Sequence, residues 1–230
     1  IISGSQIRMV GKPYHTFYLR EFAGVDPVDG MTWFYTNTVD ADGNYVKEKT
    51  KDLNTANAIP LQSPYPKIVG GLINNFRIYY FDLGLTFTFS LGGYSYDSAA
   101  GKLDKEGTTN GLDANIPIYY RDRWRKPGDK SIYGIYIANN RWDLADGYSN
   151  SRRIHSTDHL RLKNLSLGFT VPSSVTDIIN LKKARLFMAA NNLWTVSKWK
   201  MYDPEVAVDG VMAWQTPALK TITFGLDLTF

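Results

Sequence analysis

The chain has 230 residues, 43% hydrophobic and 14% aromatic, with a formal charge of +4 and no cysteine. That composition is too apolar for a wholly disordered segment, excludes a disulfide scaffold or thiolate metal site, and gives no sign of nucleic-acid binding. No run approaches the roughly eighteen uncharged apolar residues of a membrane-spanning helix, but a β-barrel stays open, because alternating strands look mild on a hydropathy average.

The chain opens at Ile1 without an initiator Met, a basic n-region or an apolar h-region, and closes on Thr229-Phe230 inside a strand-like pattern. Both ends predict a piece of a longer protein, its C-terminal part. Residues 30–66 predict a long loop. Leu72, Phe76, Ile78 and Tyr80 share a side and predict a strand over 68–80. Asp82 predicts a tight turn into a strand over 82–94. There Leu83, Leu85, Phe87, Phe89 and Leu91 alternate with Gly84, Thr86, Thr88, Ser90 and Gly92. A long loop over 95–156 follows. Leu165, Leu167, Phe169 and Val171 then alternate with Ser166, Gly168 and Thr170 in a strand over 157–171. The best helical candidate, Ser173 to Lys183, is short. A strand over 184–195 is expected, although Phe187 blurs its contrast, and 197–216 is a further long loop. In the last strand, 217–230, Ile222, Phe224, Leu226, Leu228 and Phe230 alternate strictly with Thr221, Thr223, Gly225, Asp227 and Thr229. No comparable stretch has a 3.6-residue period, so the chain reads as all-β.

Short and long connections alternate along this series. Outer-membrane barrels pair short periplasmic turns with long extracellular loops, and placing the chain end in the periplasm puts all three long loops outside. An unpaired polar group in hydrocarbon costs several kcal/mol, so the uniformly apolar face is expected to meet lipid. That face comprises Leu83, Leu85, Phe87, Phe89, Leu91, Leu165, Leu167, Phe169, Ile222, Phe224, Leu226 and Leu228. The competing reading is an ordinary sandwich core. Tyr79, Tyr80 and Phe81 at one end, and Tyr94, Tyr96, Trp194 and Trp199 at the other, are placed as interfacial aromatic girdles would be.

Chemistry is sparse. His155 and His159 stand four apart where the pattern predicts a strand, so they would not share a face, and no ligand set for a metal emerges. Asp40-Ala41-Asp42-Gly43-Asn44 has a calcium-loop opening but Lys49 where a bidentate Glu is needed, and reads instead as a hairpin tip. There is no phosphate loop and no nucleophile elbow. No cofactor and no catalytic residue is expected. One loop cluster carries weight: Tyr119, Tyr120, Arg121, Arg123 and Trp124, followed by Arg141, Trp142 and Asp143. Aromatic faces beside planar hydrogen-bonding groups suit sugar rings, peptides or a partner protein. The same residues would also serve a loop that needs an aromatic mini-core of its own.

Several segments resemble one family. Asp158 to Pro172, with Leu160-Arg161-Leu162-Lys163-Asn164-Leu165 at its centre, looks like a segment of SusC/RagA-type TonB-dependent outer-membrane transporters, with His159 where an aromatic is usual. Ala190 to Thr195, Tyr202-Asp203-Pro204-Glu205, Phe22 to Gly30, Pro66 to Leu83, Arg123 to Asp129 and Lys220 to Phe230 resemble further motifs of that family, in its order. The resemblance implies the C-terminal strands of a 22-stranded barrel with long extracellular loops, the plug and TonB-contacting region lying outside residues 1–230. It implies an outer-membrane, Bacteroidota-type importer working with a SusD-like lipoprotein on oligosaccharides or peptides. It also implies that Phe230 is an assembly signal. A passive porin and a secreted carbohydrate-binding module are the alternatives.

Overall fold

The longest alternating stretches become the longest strands. The computed structural model describes residues 1–103, 117–137, 149–205 and 208–230, and clusters into two units. A sheet unit contains residues 66–93, 156–205 and 216–230; a loop unit contains 1–65, 94–155 and 206–215. The sheet unit's strands are β1 (Ile68–Ile78), β2 (Phe81–Leu91), β3 (His159–Thr170), β4 (Lys183–Ser197) and β5 (Thr221–Thr229). Among the described residues they form one five-stranded antiparallel meander in that order.

Register keeps one face mostly apolar across all five strands, with Asn74 opposite Leu85 as an exception, because cross-strand partners share a face. Leu83 lies opposite Phe76 and Leu167, Leu85 opposite Leu165, Met188 between Leu167 and Phe224, and Leu186 opposite Leu226. In β3 the apolar phase changes from Leu160 and Leu162 to Leu165, Leu167 and Phe169. A bulge makes this possible: Phe87 faces Leu162 while the adjacent Thr86 faces Asn164, so Lys163 is the extra residue. Across the other edge of β3, Leu162 faces Trp194 and Asn164 faces Asn191, with Asn192 in the left-handed region at φ 52°. Among the described residues the apolar face packs on no second layer: Phe224 is 76% exposed and Leu226 55%. Within the described residues it is therefore not the core of a sandwich.

Two local expectations need correction. The first hairpin turns at Tyr79-Tyr80, with Tyr79 at φ 54°, and Asp82 sits inside the ladder opposite Arg77. The cause is that Phe81 and Asp82 already continue the apolar-polar alternation. Of the supposed girdle residues, Tyr79, Tyr80, Phe81 and Trp194 are exposed, whereas Tyr96 and Trp199 are buried. Elsewhere, Phe187 lies on the polar face because it faces Gly225, its ring filling the space a Cβ there would occupy. The link after Pro172 is a turn of helix, Ser173–Thr176, running into a 3₁₀ turn that Asn180 ends at φ 53°.

Short strands that alternation does not mark lie within the expected long loops and before the first of them. In the loop unit Thr16–Arg20 pairs with Ala58–Pro60, Phe22–Val25 with Thr32–Tyr35, and Tyr94–Asp97 runs parallel to Val211–Met212. Thr38–Val39 and Tyr45–Val46 form the expected hairpin, its tip held by Asp40 Oδ1, which accepts from the amides of Asp42 (3.0 Å) and Asn44 (2.8 Å). Two buried apolar clusters hold the unit: Phe17, Leu19 and Tyr96 in one, Phe34, Leu53 and Ala56 in the other.

Candidate functional site

Two places bring functional side chains together, one in each unit. In the loop unit, the segment after Pro117 forms a 3₁₀ turn, Ile118–Asp122, which turns Tyr120 inward. Tyr120 stands 5.5 Å from the Tyr133 ring and 6.5 Å, edge-on, from Tyr136, while Tyr119 is 5.3 Å from Tyr133. Trp124 is buried, and its Nε1 donates to the Pro27 carbonyl at 3.1 Å. A Cβ at Gly30 would fall in the Trp124 ring, so glycine is required there on space as well as on its φ of 75°. Tyr120 and Trp124 thus form the mini-core of the loop. Arg121 is exposed and Arg123 half-buried, its guanidinium 5.7 Å from the Tyr136 ring and 6.0 Å from Tyr120. Arg141, Trp142 and Asp143 lie outside the described residues.

Nearby, Asp26 is nearly buried, Lys51 bridges it to Asp29 at 2.5 and 2.6 Å, and its Oδ1 accepts from the Val28 amide at 2.8 Å. The lysine and that amide hold the Asp26 carboxyl below the ordinary aspartate value. This fixes the turn that carries Pro27, the acceptor for Trp124.

In the sheet unit, polar-face residues of β3 meet the Tyr202–Glu205 segment. Arg161, 1% exposed, is ion-paired and hydrogen-bonded to Asp203 Oδ1 and lies 3.5 Å from Glu205. Lys163 reaches Glu205 at 2.9 Å. The amides of Glu205 (3.0 Å) and Ala218 (2.9 Å) also donate to Asp203. Desolvation alone would raise the Asp203 carboxyl, but these amides and the Arg161 guanidinium outweigh it and hold it below its ordinary value. A cavity of 510 Å³ adjoins this latch, lined by Arg161, Asn192, Trp199, Tyr202, Asp203 and Ala218 among others. Sequence reasoning noticed both segments only as motifs. The signal available was complementary charge: Arg-x-Lys in one, Asp-x-Glu in the other.

The polar face continues as a ladder. Asn164 donates to Asn191 at 2.9 Å and Asn191 to Thr221 at 3.0 Å. Arg185 spans β3 to reach Asp82, with contacts of 2.7 and 3.3 Å, and lies 3.6 Å from Asp227. It can do so because Gly168, between them, has no side chain in the way. Among the described residues no group of three or more His, Cys, Asp and Glu side chains is placed to hold a metal ion.

Among the described residues the meander thus has one bare apolar face and one ion-paired polar face. Comparisons with known proteins place this arrangement among relatives. Over an alignment of 246 positions the chain is 25% identical to TonB-dependent receptor P3 of Formosa agariphila, covering 98% of this chain and 23% of that protein. It is 24% identical to TonB-dependent receptor P26 of the same organism, covering 99% and 24%. The RagAB peptide transporter structure superposes with a TM-score of 0.78 at 26% identity, over 98% of this chain and 24% of that one. The RagAB peptide importer in its closed-closed state gives 0.76 at 26% identity, with the same coverages. The chain spans about a quarter of the length of each of these relatives. No protein-family model matches it. The resemblance to SusC/RagA-type TonB-dependent transporters drawn from the motifs is borne out.

Proposed function

We propose that residues 1–230 are the C-terminal portion of a TonB-dependent outer-membrane importer in a Bacteroidota-type bacterium. The bare apolar face of the sheet unit carries this reading. Strands of nine to fifteen residues are long enough to cross the hydrocarbon when tilted about 45°. Leu83, Leu85, Phe87, Phe89, Leu91, Leu165, Leu167, Phe169, Ile222, Phe224, Leu226 and Leu228 face lipid in this arrangement, and the Asn, Thr and Arg ladder faces the lumen. β1 and β5 each end the described sheet with an unpaired edge, which a closed barrel of 22 strands with a plug would pair. The long loops would receive a SusD-like lipoprotein carrying an oligosaccharide or peptide, and TonB would act on the plug. Likeness to RagAB, described as a peptide transporter, favours peptides. The substrate is bound and passed, with no bond in it changed.

The test is uptake of a labelled peptide or oligosaccharide by cells carrying the full-length gene, with and without TonB. Uptake that requires TonB and is lost without it is the expected result. Uptake independent of TonB would mean a passive porin, and recovery of the protein without detergent would mean a secreted binding module. Phe230 is read as the assembly signal: deleting it should lower outer-membrane levels, and unchanged levels would remove that role.

A further inference from the structure

A groove of 440 Å³ opens in the loop unit, lined by Pro117, Ile118, Tyr120, Arg121, Arg123 and Tyr136. We infer that this groove is a carboxylate-recognition site for acidic chain substrates, read by Arg121 and Arg123 over an aromatic floor. The inference rests on the importer reading and names its substrate class.

Several other arginines are engaged. Arg161 is ion-paired with Asp203 and Arg185 with Asp82. Arg20 donates to the carbonyls of Leu53 (3.2 Å) and Ala56 (3.1 Å), and Arg125 to the Arg121 carbonyl at 2.7 Å. Arg121 and Arg123 have no carboxylate partner among the described residues, although the planar guanidinium is suited to bidentate pairing with one. Arg123 is held in place by the Tyr120 and Tyr136 rings, so part of the ordering cost of binding is met before a ligand arrives. The same segment, residues 117–137, also carries Arg125, Lys126 and Lys130. The acids of that segment are Asp122 and Asp129, the latter accepting from the amides of Arg125 (3.0 Å) and Lys126 (3.1 Å), and these two carboxylates stand against five basic side chains. The local field is therefore positive and draws anions. Ile118, 78% exposed at the rim, offers apolar contact to the remainder of a chain-like ligand. A carboxylate comes equally from an acidic peptide or from a uronic-acid sugar, and the site recognises the group common to both.

The experiment uses the full-length receptor in detergent and measures binding of two probe pairs. One pair is a short glutamate-containing peptide and its glutamine counterpart; the other is a galacturonate oligosaccharide and its methyl ester. At least one acidic probe is expected to bind about ten- to a hundredfold more tightly than its neutral partner, the range for a charged hydrogen-bonded pair. Arg121→Gln and Arg123→Gln should each erase much of that preference, while Lys130→Gln should not. Arg121 is exposed, so its variant keeps the test valid if Arg123→Gln fails to fold. Raising salt from roughly 0.1 M to roughly 1 M should weaken only the acidic probes. Preference for the peptide identifies a peptide source, preference for the uronate a glycan source, and either supports the site. No acid preference in either pair, or a preference that survives both substitutions, overturns it. TonB-dependent uptake of a neutral substrate alongside such a failure would leave the importer reading standing. Acid binding without any TonB-dependent uptake would overturn the importer reading and leave the site.

Discussion

The two units spend their apolar residues in opposite ways. In the loop unit Phe17 is 0% exposed and its cluster is fixed by tertiary contacts. In the sheet unit the largest side chains of β5 stand in the open. Burial drives folding at about 25 cal/mol per Å² of apolar surface removed from solvent water. The loop unit obtains that drive within its own chain, and the sheet unit obtains it only if something apolar covers its face. Hydrophobic content alone therefore does not say which solvent a region faces; the direction in which it points does.

The sharpest way to break this contrast is to damage each region where its own logic is strongest. Phe17→Ala should cost the loop unit about 3–5 kcal/mol, as for any large side chain removed from a closed core. Limited proteolysis of the full-length protein should then cut the loop unit first, and an unaltered cleavage pattern would mean that this cluster does not hold it. Leu226→Arg should cost about 2–4 kcal/mol in a bilayer, against a much smaller loss for Thr223→Arg on the other face. Urea unfolding from lipid vesicles measures both. If Leu226 faces water, its substitution should stay within about 0.5 kcal/mol. Equal tolerance at the two positions would erase the distinction between the faces.

How far the sequence revealed each unit follows from the same contrast. Strands with one apolar and one polar face must alternate, so β2 and β5 can be read from Leu83 and Ile222 onward. The reading slips where the ladder departs from period two: at Lys163, where a bulge reverses the phase, and at Tyr79-Tyr80, where a two-residue turn leaves Asp82 paired. The short strands of the loop unit have no such period. Thr32–Tyr35 is only four residues long, too short to display a period, and its pairing with Phe22–Val25 is interrupted by a bulge. The candidate sites divide similarly. Tyr119 to Trp124 stood out as a dense cluster, but only the fold separates Tyr120 and Trp124, turned inward, from Arg121 and Arg123 at the groove. The latch was hidden because its halves lie forty-two residues apart.

That latch tests whether the polar face is organised or merely wet. Asp203 collects two amides and a buried guanidinium, so Asp203→Asn leaves Arg161 with Glu205 as its remaining acid. The expected local cost is about 2 kcal/mol, seen as roughly thirtyfold faster hydrogen exchange at the amides of Glu205 and Ala218. Acid should act in the same direction. Because the folded carboxyl is held below its ordinary value of 3.8, its contribution is complete above that value and disappears as pH falls through the lowered one. Protection of the Ala218 amide should thus fall on acidification in the native protein beyond the intrinsic pH effect, and much less in Asp203→Asn. The same protection in both proteins at neutral pH would mean that the segment is held by its backbone alone, and that the polar face needs no ion pair to keep its shape.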